Sequence, residues 1–436
     1  MMPAHSQKRI LVSWYCDPAY IPPFTLSERQ TTVGPKIRPN QPLAMFAGWT
    51  PRGRYSLKDA LVSNGLETAF DAVVVWADAS GENVPLELDG FACPKVLCVG
   101  DTHHCPSPLR KVIDYAKQAK YDFVISSHNR HHLHWFAESG FTNVAWLPGI
   151  KVRHLPRPFE TSRKPCVSFL GNAGEHHPRR LRLLHNLHRA IPLVAARGSR
   201  DHAADMSAST LVSFNASLNG DLNLRVFETL SAGGCLLTDR LSAQSGLDLI
   251  LTEGETFAGY DTVEECLEQA RFLLAHPDIA LKLARSGNEA FVSSMLPERR
   301  AGQLLSWIFD GHLDELFRCP THPAAEARRA ALSDRIRVYE ELQELHRVEE
   351  SPRVLFLGDV ADAYLIDALD LRRLRLSILT PDDETIAARP AVADRYDHVG
   401  QEQAEKISWD CVVADDGATV PESIKRQKLL TVPLSR

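Results

Sequence analysis

The stretch NLRVFETLSAGGCLLTD (residues 223–239) decides the fold, because it joins a short helix to a strand through two glycines. The apolar side of the helix is formed by Val226, Phe227 and Leu230. Gly233 and Gly234 supply the left-handed cap at which helices commonly end. The CLLTD run that follows is predicted as a buried strand. We therefore expect one helix-to-strand step of a doubly wound α/β domain here.

Apolar runs alternate with amphipathic helical stretches on both sides of this step. Upstream, the strand-like runs are residues 9–16, 71–77, 94–101, 122–127 and 143–149, with helical stretches at 107–119 and 130–140. After a Pro- and Arg-rich linker at 151–165, strand-like runs at 166–172, 191–197, 209–217 and 255–260 alternate with helices at 177–190, 264–277, 278–294 and 298–317. Both halves predict parallel sheets with helices on both faces.

A third α/β pattern follows a charged helical stretch at 323–349, which is interpreted as either a spacer helix or a docking helix. The predicted organisation is an N-terminal Rossmann-like acceptor domain, a Rossmann-like donor domain, a helical linker and a small α/β unit, over residues 1–150, 151–320, 321–350 and 351–436. The last unit could be truncated relative to a longer protein. We interpret it as a protein-interaction domain or the start of another catalytic module.

Composition narrows the class of protein. The net charge of −6 and the pI of about 6.3 argue against a broad nucleic-acid-binding surface. The nine cysteines are odd in number and include no C-x-x-C pair, which favours reduced thiols over disulfides or structural zinc. No apolar run approaches the roughly 18 residues of a membrane span. The prediction is a cytoplasmic protein without a transmembrane segment.

Arg225 and Glu228 lie three residues apart in the helix of the opening stretch. The structural alternative is an exposed ion pair, worth about 0.3 kcal/mol. The functional alternative is a nucleotide site. A helix N-terminus and an arginine suit a phosphate, and a carboxylate one turn later can accept from the hydroxyls of a ribose. Such a set binds a nucleoside diphosphate without requiring a metal, so neither a metal nor a further cofactor is expected.

The opening stretch resembles the nucleotide-binding signature of group 1 glycosyltransferases, closest to the spore-maturation (CgeB-like) branch. The runs VAWLPGI, VSFLGNAGEHHPRRLRLL and GETFAGY are similar to that branch in the same order, so the resemblance covers roughly residues 143–305. It implies the GT-B fold of two facing Rossmann-like domains. The site that it implies consists of Glu228 at the ribose and Asn223 and Arg225 at the diphosphate, with Gly171, Asn172 and Arg180 nearby.

Two positions depart from that family pattern. Many retaining members carry a glutamate where Gly220 stands, and the branch often has His-Thr-Tyr where this chain reads Met295-Leu296-Pro297 before Arg300. The sequence therefore leaves inverting and retaining mechanisms open.

The acceptor side is predicted from the histidines and from one long loop. Asp101 and His103 follow a strand, where either could take the proton of an acceptor hydroxyl, although a solvated turn explains them equally well. His128 and His132 are four residues apart, and a surface helix is the favoured interpretation. The segment 17–58 is interpreted as a loop whose basic and aromatic residues suit a sugar or an anionic acceptor. These residues are Lys36, Arg38, Trp49, Arg52, Arg54 and Tyr55.

These observations predict a metal-independent glycosyltransferase that uses a nucleotide-diphosphate sugar as co-substrate. The acceptor, whether saccharide, protein or small molecule, is not identified by the sequence. The alternatives are a non-catalytic sugar-nucleotide-binding protein and a non-hydrolysing nucleotide-sugar epimerase. A Rossmann dehydrogenase is disfavoured, because no dinucleotide-binding fingerprint follows any of the early strands.

Overall fold

The computed structural model describes residues 5–15, 24–35, 46–102, 105–152, 156–174, 177–218, 220–319, 332–348, 352–357, 375–379, 397–415 and 419–432. Within these ranges the chain forms three larger sheets, and every strand pairing in them is parallel. The predicted α/β fold of Rossmann-like units with parallel sheets is confirmed.

The first sheet has seven strands in the order β3-β2-β1-β5-β7-β8-β9. The strands are β1 Arg9–Ser13, β2 Arg29–Gly34, β3 Phe46–Trp49, β5 Ala72–Ala77, β7 Lys95–Val99, β8 Phe123–Ser126 and β9 Val144–Trp146, and β4 Gly53–Ser56 pairs separately with β6 Asn83–Leu86. The helices are α1 Leu57–Ser63, α2 Pro108–Ala119 and α3 Leu133–Glu138. The central strand β5, AVVVWA, is buried along its whole length, as expected for a strand covered on both faces.

The interpretation of residues 17–58 as one long loop is wrong. The segment contributes β2, β3 and β4, and α1 begins inside it. The strand β2 reads RQTTVG, and its polar first half hides the strand from a search for apolar runs. Tyr55, expected in an acceptor loop, is buried and donates a hydrogen bond to Asn83 Oδ1 at 2.8 Å. Lys36 and Arg38 lie outside the described residues.

The second sheet has five strands in the order β11-β10-β12-β13-β14. The strands are β10 Lys164–Leu170, β11 Leu193–Ala196, β12 Thr210–Phe214, β13 Leu236–Asp239 and β14 Ala258–Tyr260. The helices are α4 Pro178–Ala190, α5 Arg200–Ser209, α6 Leu224–Ser231, α7 Leu247–Ile250, α8 Val263–Ala275, α9 Pro277–Ser294 and α10 Pro297–Asp310. The opening stretch is the step from α6 to β13, and Gly233 takes a φ of 72° after the helix, as predicted. The apolar side of α6 is buried.

The chain returns to the first sheet after the second. On α10, the ring of Trp307 packs edge-on against Phe123 at 4.9 Å. Further along, the backbone N–H of Cys319 donates to Val144 O at 2.9 Å. The last part of the predicted donor domain, from α10 to Cys319, therefore packs on the first sheet.

The third sheet has five strands in the order β17-β16-β15-β18-β19. Its strands are β15 Arg353–Leu357, β16 Arg375–Leu379, β17 Asp397–Val399, β18 Trp409–Asp415 and β19 Arg426–Val432, with α12 Gln401–Lys406 before β18. The helix α11 Leu332–Val348 precedes this sheet.

The charged helical stretch is interpreted from sequence as either a spacer helix or a docking helix, and the contacts of α11 are those of a docking helix. Arg335 and Glu138 form an ion pair at 2.6 Å, and both side chains are buried. Glu340 Oε1 accepts from the backbone N–H groups of Leu109 at 2.9 Å and Arg110 at 3.2 Å, in the first turn of α2. On the other side, Arg337 donates to the Thr431 carbonyl of β19 at 3.0 Å. The helix therefore connects the third sheet to the first.

Candidate active site

A cleft of about 520 Å³ lies between the first and second sheets, at the carboxyl ends of their strands. The strand order reverses between β1 and β5 in the first sheet and between β10 and β12 in the second. Ligands of doubly wound sheets bind at such reversal points. Trp14 and Tyr15 follow β1, Gly171 and Asn172 follow β10, and all four line the cleft. Two Rossmann-like units thus face each other across one cleft, as the GT-B arrangement requires.

All the predicted site residues that the structure describes line this cleft. Its second-sheet wall includes Gly171, Asn172, Arg180, Asn223, Arg225 and Glu228, and Asp101 lies on the first-sheet wall. His103 lies outside the described residues. Residues far apart in the sequence are thereby brought together, whereas the role of each in binding stays a prediction.

Arg225 holds the carboxyl ends of two neighbouring strands. Its Nε donates to Leu170 O at 2.9 Å and its Nη1 to Asn215 Oδ1 at 2.9 Å. The guanidinium lies over the Phe169 ring, 4.5 Å from its centroid. A Cβ at position 171 would lie 2.1 Å from Arg225 Nη2, so a side chain there would displace the guanidinium. The arginine predicted at the diphosphate therefore also shapes the loop on which the site is built.

Arg180 fixes the neighbouring loops in the same way. Its Nε and Nη2 donate to Ala216 O at 3.1 and 2.7 Å, and its Nη1 donates to Asn172 O at 2.9 Å. Burial lowers the pKa of this guanidinium. The acceptor of each of these three hydrogen bonds is a backbone carbonyl group. In the structure Arg180 positions the loops after β10 and β12.

The helix α6 presents Glu228 to the cleft. Asn223 caps the helix, because its side-chain oxygen accepts from the backbone N–H of Arg225 at 3.1 Å. Asn and Asp are preferred at this position because they satisfy a donor that the first helical turn leaves free. Glu228 lies one turn further on and is 7% exposed. A carboxylate so enclosed at the cleft is placed to accept hydrogen bonds from a ligand.

Asn172 is held by a cation that the sequence analysis missed. Arg197 Nη2 donates to Asn172 Oδ1 at 2.8 Å, and the same oxygen accepts from the backbone N–H of Gly174 at 3.2 Å. Arg197 follows β11 and lines the cleft. Its place directly after a strand, beside a glycine, is the signal that could have identified it.

Asp101 and His128 form a pair on the first-sheet wall. His128 Nε2 lies 3.1 Å from Asp101 Oδ1, and His128 Nδ1 lies 2.8 Å from Ser127 Oγ. The His128 side chain is buried, whereas that of Asp101 is 40% exposed. Asp101 therefore presents a carboxylate to the cleft that a buried histidine orients.

The surface-helix interpretation of His128 and His132 is wrong. Residues Arg130–His132 form a 3₁₀ turn, and His132 is fully buried under α11. Its Nδ1 lies 2.6 Å from Thr102 Oγ1, and its Nε2 lies 2.5 Å from the Tyr339 hydroxyl. The helix that covers His132 contributes Tyr339, which is 207 residues away in sequence, so local spacing could not reveal this burial.

Lys151, placed by sequence in a linker, also lines the cleft. It is 8% exposed, and its Nζ donates to the Tyr15 hydroxyl at 2.6 Å. The rings of Trp14, Tyr15 and Trp76 surround the ammonium group, with centroids 5.8, 4.8 and 5.2 Å from Nζ. The Trp14-Tyr15 pair at the end of the first strand is the sequence signal for this group.

Arg300, part of the family resemblance, lies outside the cleft lining. Its Nε donates to Pro148 O at 2.9 Å, and its Nη1 donates to Gln303 Oε1 at 2.6 Å. Burial lowers its pKa to about 10. The residue ties α10 to the segment that leaves the first sheet.

The described part of the chain has neither a candidate metal-binding cluster nor a candidate membrane-spanning helix. It contains no cluster of three or more His, Cys, Asp or Glu side chains that could hold a metal ion. Its helices include none with the length and apolar character needed to cross a membrane.

Residues 176–306 match the sequence profile of a family described as "Glycosyl transferase-like". The matched span is less than a third of the chain and runs from just before α4 into α10. It includes the opening stretch and most of the second-sheet wall. The match of this region supports transferase activity.

Three solved structures are similar to this chain at low sequence identity. The chain is similar to sucrose-phosphate synthase from Thermosynechococcus elongatus, with 10% identity, coverage of 70% of this chain and 100% of that chain, and a TM-score of 0.48. It is similar to HepE of Anabaena in complex with UDP-glucose, with 12% identity, coverage of 69% and 99%, and a TM-score of 0.45. It is also similar to S. aureus TarM in a complex that includes UDP, with 11% identity and a TM-score of 0.41. That alignment covers 57% of this chain and spans only 58% of the TarM chain. No curated protein matches by sequence.

Proposed function

We propose that the chain transfers a glycosyl group from a nucleotide-diphosphate sugar to an acceptor, without a metal ion, in the cleft between the first and second sheets. One observation carries this proposal. The motif helix α6, inside the glycosyl transferase-like span, presents Glu228 to the same cleft as Asp101 of the first sheet. A donor site and a base for the acceptor hydroxyl would then face each other.

The donor would bind against the second-sheet wall. Glu228 would accept from the ribose hydroxyls, and its enclosure strengthens such hydrogen bonds because water is excluded. The diphosphate would lie near the start of α6, where the helix dipole and Arg225 supply positive charge. Asn172, held by Arg197 and Arg180, would shape the loop beside it.

Metal-independent departure of the diphosphate needs positive charge in a fixed place. Arg225 is fixed by its bonds to Leu170 and Asn215, so it need not reorganise as the leaving group gains charge. One preorganised contact of this type is commonly worth roughly 3–4 kcal/mol in the transition state. The cations of the second-sheet wall would therefore stabilise the charge on the leaving diphosphate in place of a divalent ion.

The acceptor would approach from the first-sheet wall. In an inverting reaction, Asp101 would take the proton from the acceptor hydroxyl while that oxygen bonds to the anomeric carbon and the bond to the diphosphate breaks. His128 would orient the carboxylate for this step. Experiments are needed to determine whether the configuration at the anomeric carbon is inverted or retained and which molecule is the acceptor.

We also propose that the protein is cytoplasmic and that it belongs to the spore-maturation (CgeB-like) branch of glycosyltransferases. The cysteines among the described residues are all free, which supports a reducing compartment. The motifs that resemble the branch include those on the second-sheet wall.

The first test is a thermal-shift panel of UDP, GDP, CMP, dTDP and ADP sugars in EDTA, on wild type and Glu228→Ala. A ligand at a hundred times its Kd stabilises a protein by roughly 2.7 kcal/mol. We expect one nucleotide to stabilise the wild type and to lose this effect in the variant. Glu268→Ala, an exposed change on α8, is the matched control and should respond like wild type. If no nucleotide stabilises the wild type, with or without metal, the donor site is refuted.

A further inference from the structure

Lys151 is an unusually enclosed cation for a residue between two domains. It lies in the turn after β9 and is 8% exposed. Taking an ammonium group out of water is unfavourable unless it gains a partner of opposite charge or several hydrogen bonds. The surroundings of Lys151 therefore indicate whether its burial serves the fold or a ligand.

The partners of Lys151 leave its charge under-compensated. An ammonium group has three N–H donors. Among the residues that the structure describes, one donor bonds to the Tyr15 hydroxyl, and Lys151 has no ion pair within 4.0 Å. The three aromatic rings around it attract a cation only weakly compared with a carboxylate. Asp78, whose charge influences Lys151, already accepts hydrogen bonds from the backbone and the hydroxyl of Ser80.

The geometry around the ammonium group is tightly fitted. Gly100 precedes Asp101, and a Cβ at position 100 would lie 3.0 Å from the Tyr15 hydroxyl. The chain therefore leaves room for that hydroxyl by having no side chain at this position. The hydroxyl in turn holds Lys151 at the cleft, whose lining also includes Asp101.

The wall on which Lys151 lies decides which molecule it would meet. Lys151, Trp14, Tyr15, Asp101 and His128 are the cleft residues of the first sheet and its exit turn. The arginines that suit the donor diphosphate lie on the opposite wall, so the two sets of positive charge are held by different domains. An anion at Lys151 would belong to the molecule bound on the first-sheet wall, which is the acceptor.

We propose that Lys151 binds an anionic group of the acceptor, a carboxylate or a phosphate, and that the acceptor is an acidic sugar or a phosphorylated polyol. The inference rests on the proposed function and adds the substrate class on the acceptor side. The ammonium group forms charge-assisted hydrogen bonds to the anion, and the Trp14 and Tyr15 rings offer an apolar wall to the carbon skeleton. Asp101 then receives a hydroxyl of the same molecule.

The test is calorimetric titration of matched anionic and neutral probes, on wild type and Lys151→Met. The pairs are glucuronate against glucose and glycerol 3-phosphate against glycerol, each with and without the nucleotide that stabilises the wild type. We expect the wild type to prefer the anionic member by about 10- to 100-fold, the worth of a hydrogen bond to a charged group. Lys151→Met should abolish this preference and leave the nucleotide affinity unchanged. Which pair shows the larger preference distinguishes carboxylate from phosphate.

Three results of this titration would overturn the proposal. One is a wild type that binds neither anionic probe more tightly than its neutral partner. Another is an anion preference that survives in Lys151→Met. The third is a variant that loses nucleotide and anion affinity by the same factor, which would place Lys151 at the donor diphosphate.

A stability measurement separates a ligand-binding lysine from a structural one. Removal of an under-compensated buried charge should leave the melting temperature unchanged or raise it, whereas a structural lysine would lower it. Lys151→Gln is the second variant, because its amide can still bond to the Tyr15 hydroxyl while the charge is lost. If both variants unfold at lower temperature than wild type, the lysine is structural and the proposal fails.

The titrations with nucleotide distinguish a failure of this inference from a failure of the proposed function. Nucleotide binding without an anion preference refutes the acceptor class alone. An anion preference that depends on Lys151, in a protein that binds no nucleotide, refutes the proposed function and leaves an anion site on the first-sheet wall.

Discussion

The two walls of the cleft use their charged residues differently. On the second-sheet wall, Arg225 and Arg180 donate to carbonyl groups of the strand ends that they join. On the first-sheet wall, Asp101 is 40% exposed at the cleft and Lys151 has a single hydrogen bond among the described residues. One wall is built from cations that also hold the fold, and in the proposed function the other wall presents the groups that bind the acceptor and take its proton. Substitutions should therefore affect both stability and binding on the second-sheet wall, and activity alone on the first.

The largest effect is expected from Asp101→Asn. Loss of a general base commonly lowers kcat by about 10²- to 10⁴-fold, and the melting temperature should change little because the side chain is partly exposed. Steady-state kinetics would measure it, with the donor identified by the thermal-shift panel and the acceptor class identified by calorimetry. Asp114→Asn on the exposed side of α2 is the control. An unchanged kcat with a lowered melting temperature would reverse the assignment of this wall, and an unchanged kcat alone would favour a retaining mechanism.

Arg225→Met should combine two losses. The carbonyl of Leu170 and the amide of Asn215 each lose a charged donor, which we expect to lower the free energy of unfolding by about 2–3 kcal/mol. Nucleotide affinity should fall in the same variant. Urea denaturation and titration measure the two effects, with the exposed Arg271→Met on α8 as control. Loss of binding at wild-type stability would mean that the two walls do not differ as described.

Gly171→Ala tests whether Arg225 packs against the loop that follows β10. The new methyl group would collide with Arg225 Nη2, and overpacking of this kind commonly costs about 1–3 kcal/mol. Because Arg225→Met removes the colliding group, Gly171→Ala should cost less in that background. A double-mutant cycle measures this coupling. Strictly additive effects would show that the guanidinium does not lie against Gly171 in solution.

The smallest effect concerns Glu340 of α11, which lies outside the cleft lining. Burial raises the pKa of this carboxyl above its usual value, against the hydrogen bonds from Arg110 and Leu109. A raised pKa in the folded state means that the folded protein binds a proton more readily than the unfolded chain. The contribution of Glu340 to stability is therefore present below the ordinary pKa of a glutamate and is lost as pH rises through the raised pKa.

Glu340→Gln removes this titration. The stability of the wild type relative to the variant should therefore increase as the pH is lowered from neutral towards the ordinary glutamate pKa. Urea denaturation of both proteins across this range is the measurement. A relative stability that does not depend on pH would contradict the burial of this carboxyl.

Much of the fold could be predicted from sequence, because the buried strands are uniformly apolar and local. The runs around β5, β7 and β8 were recognised to within two residues of their observed ends. The step from α6 to β13 was recognised for the same reason, with its glycine cap. The strands β2, β3 and β4 were missed because they are short and carry polar or glycine residues.

The residues that line the cleft were predictable mainly on one wall, although Asp101 of the first-sheet wall was also named, from its place after a strand. The second-sheet wall is concentrated in a continuous motif and in the loop after β10, so Arg225, Glu228 and Gly171 could be named in advance. The first-sheet wall depends on contacts across long stretches of chain. Lys151 forms a hydrogen bond with Tyr15, which lies 136 residues earlier in the sequence. His132 is buried by α11, which follows the first and second sheets in the chain. No local pattern encodes such contacts.

The most direct test of the central claim is release of nucleoside diphosphate from each nucleotide sugar in EDTA, with and without the acidic and phosphorylated acceptors. We predict release by the wild type that increases with one acceptor, and a raised KM in Glu228→Ala. Nucleotide binding without release would indicate a non-catalytic sugar-nucleotide-binding protein. Conversion of the sugar without release would indicate an epimerase. Either result would contradict a glycosyltransferase.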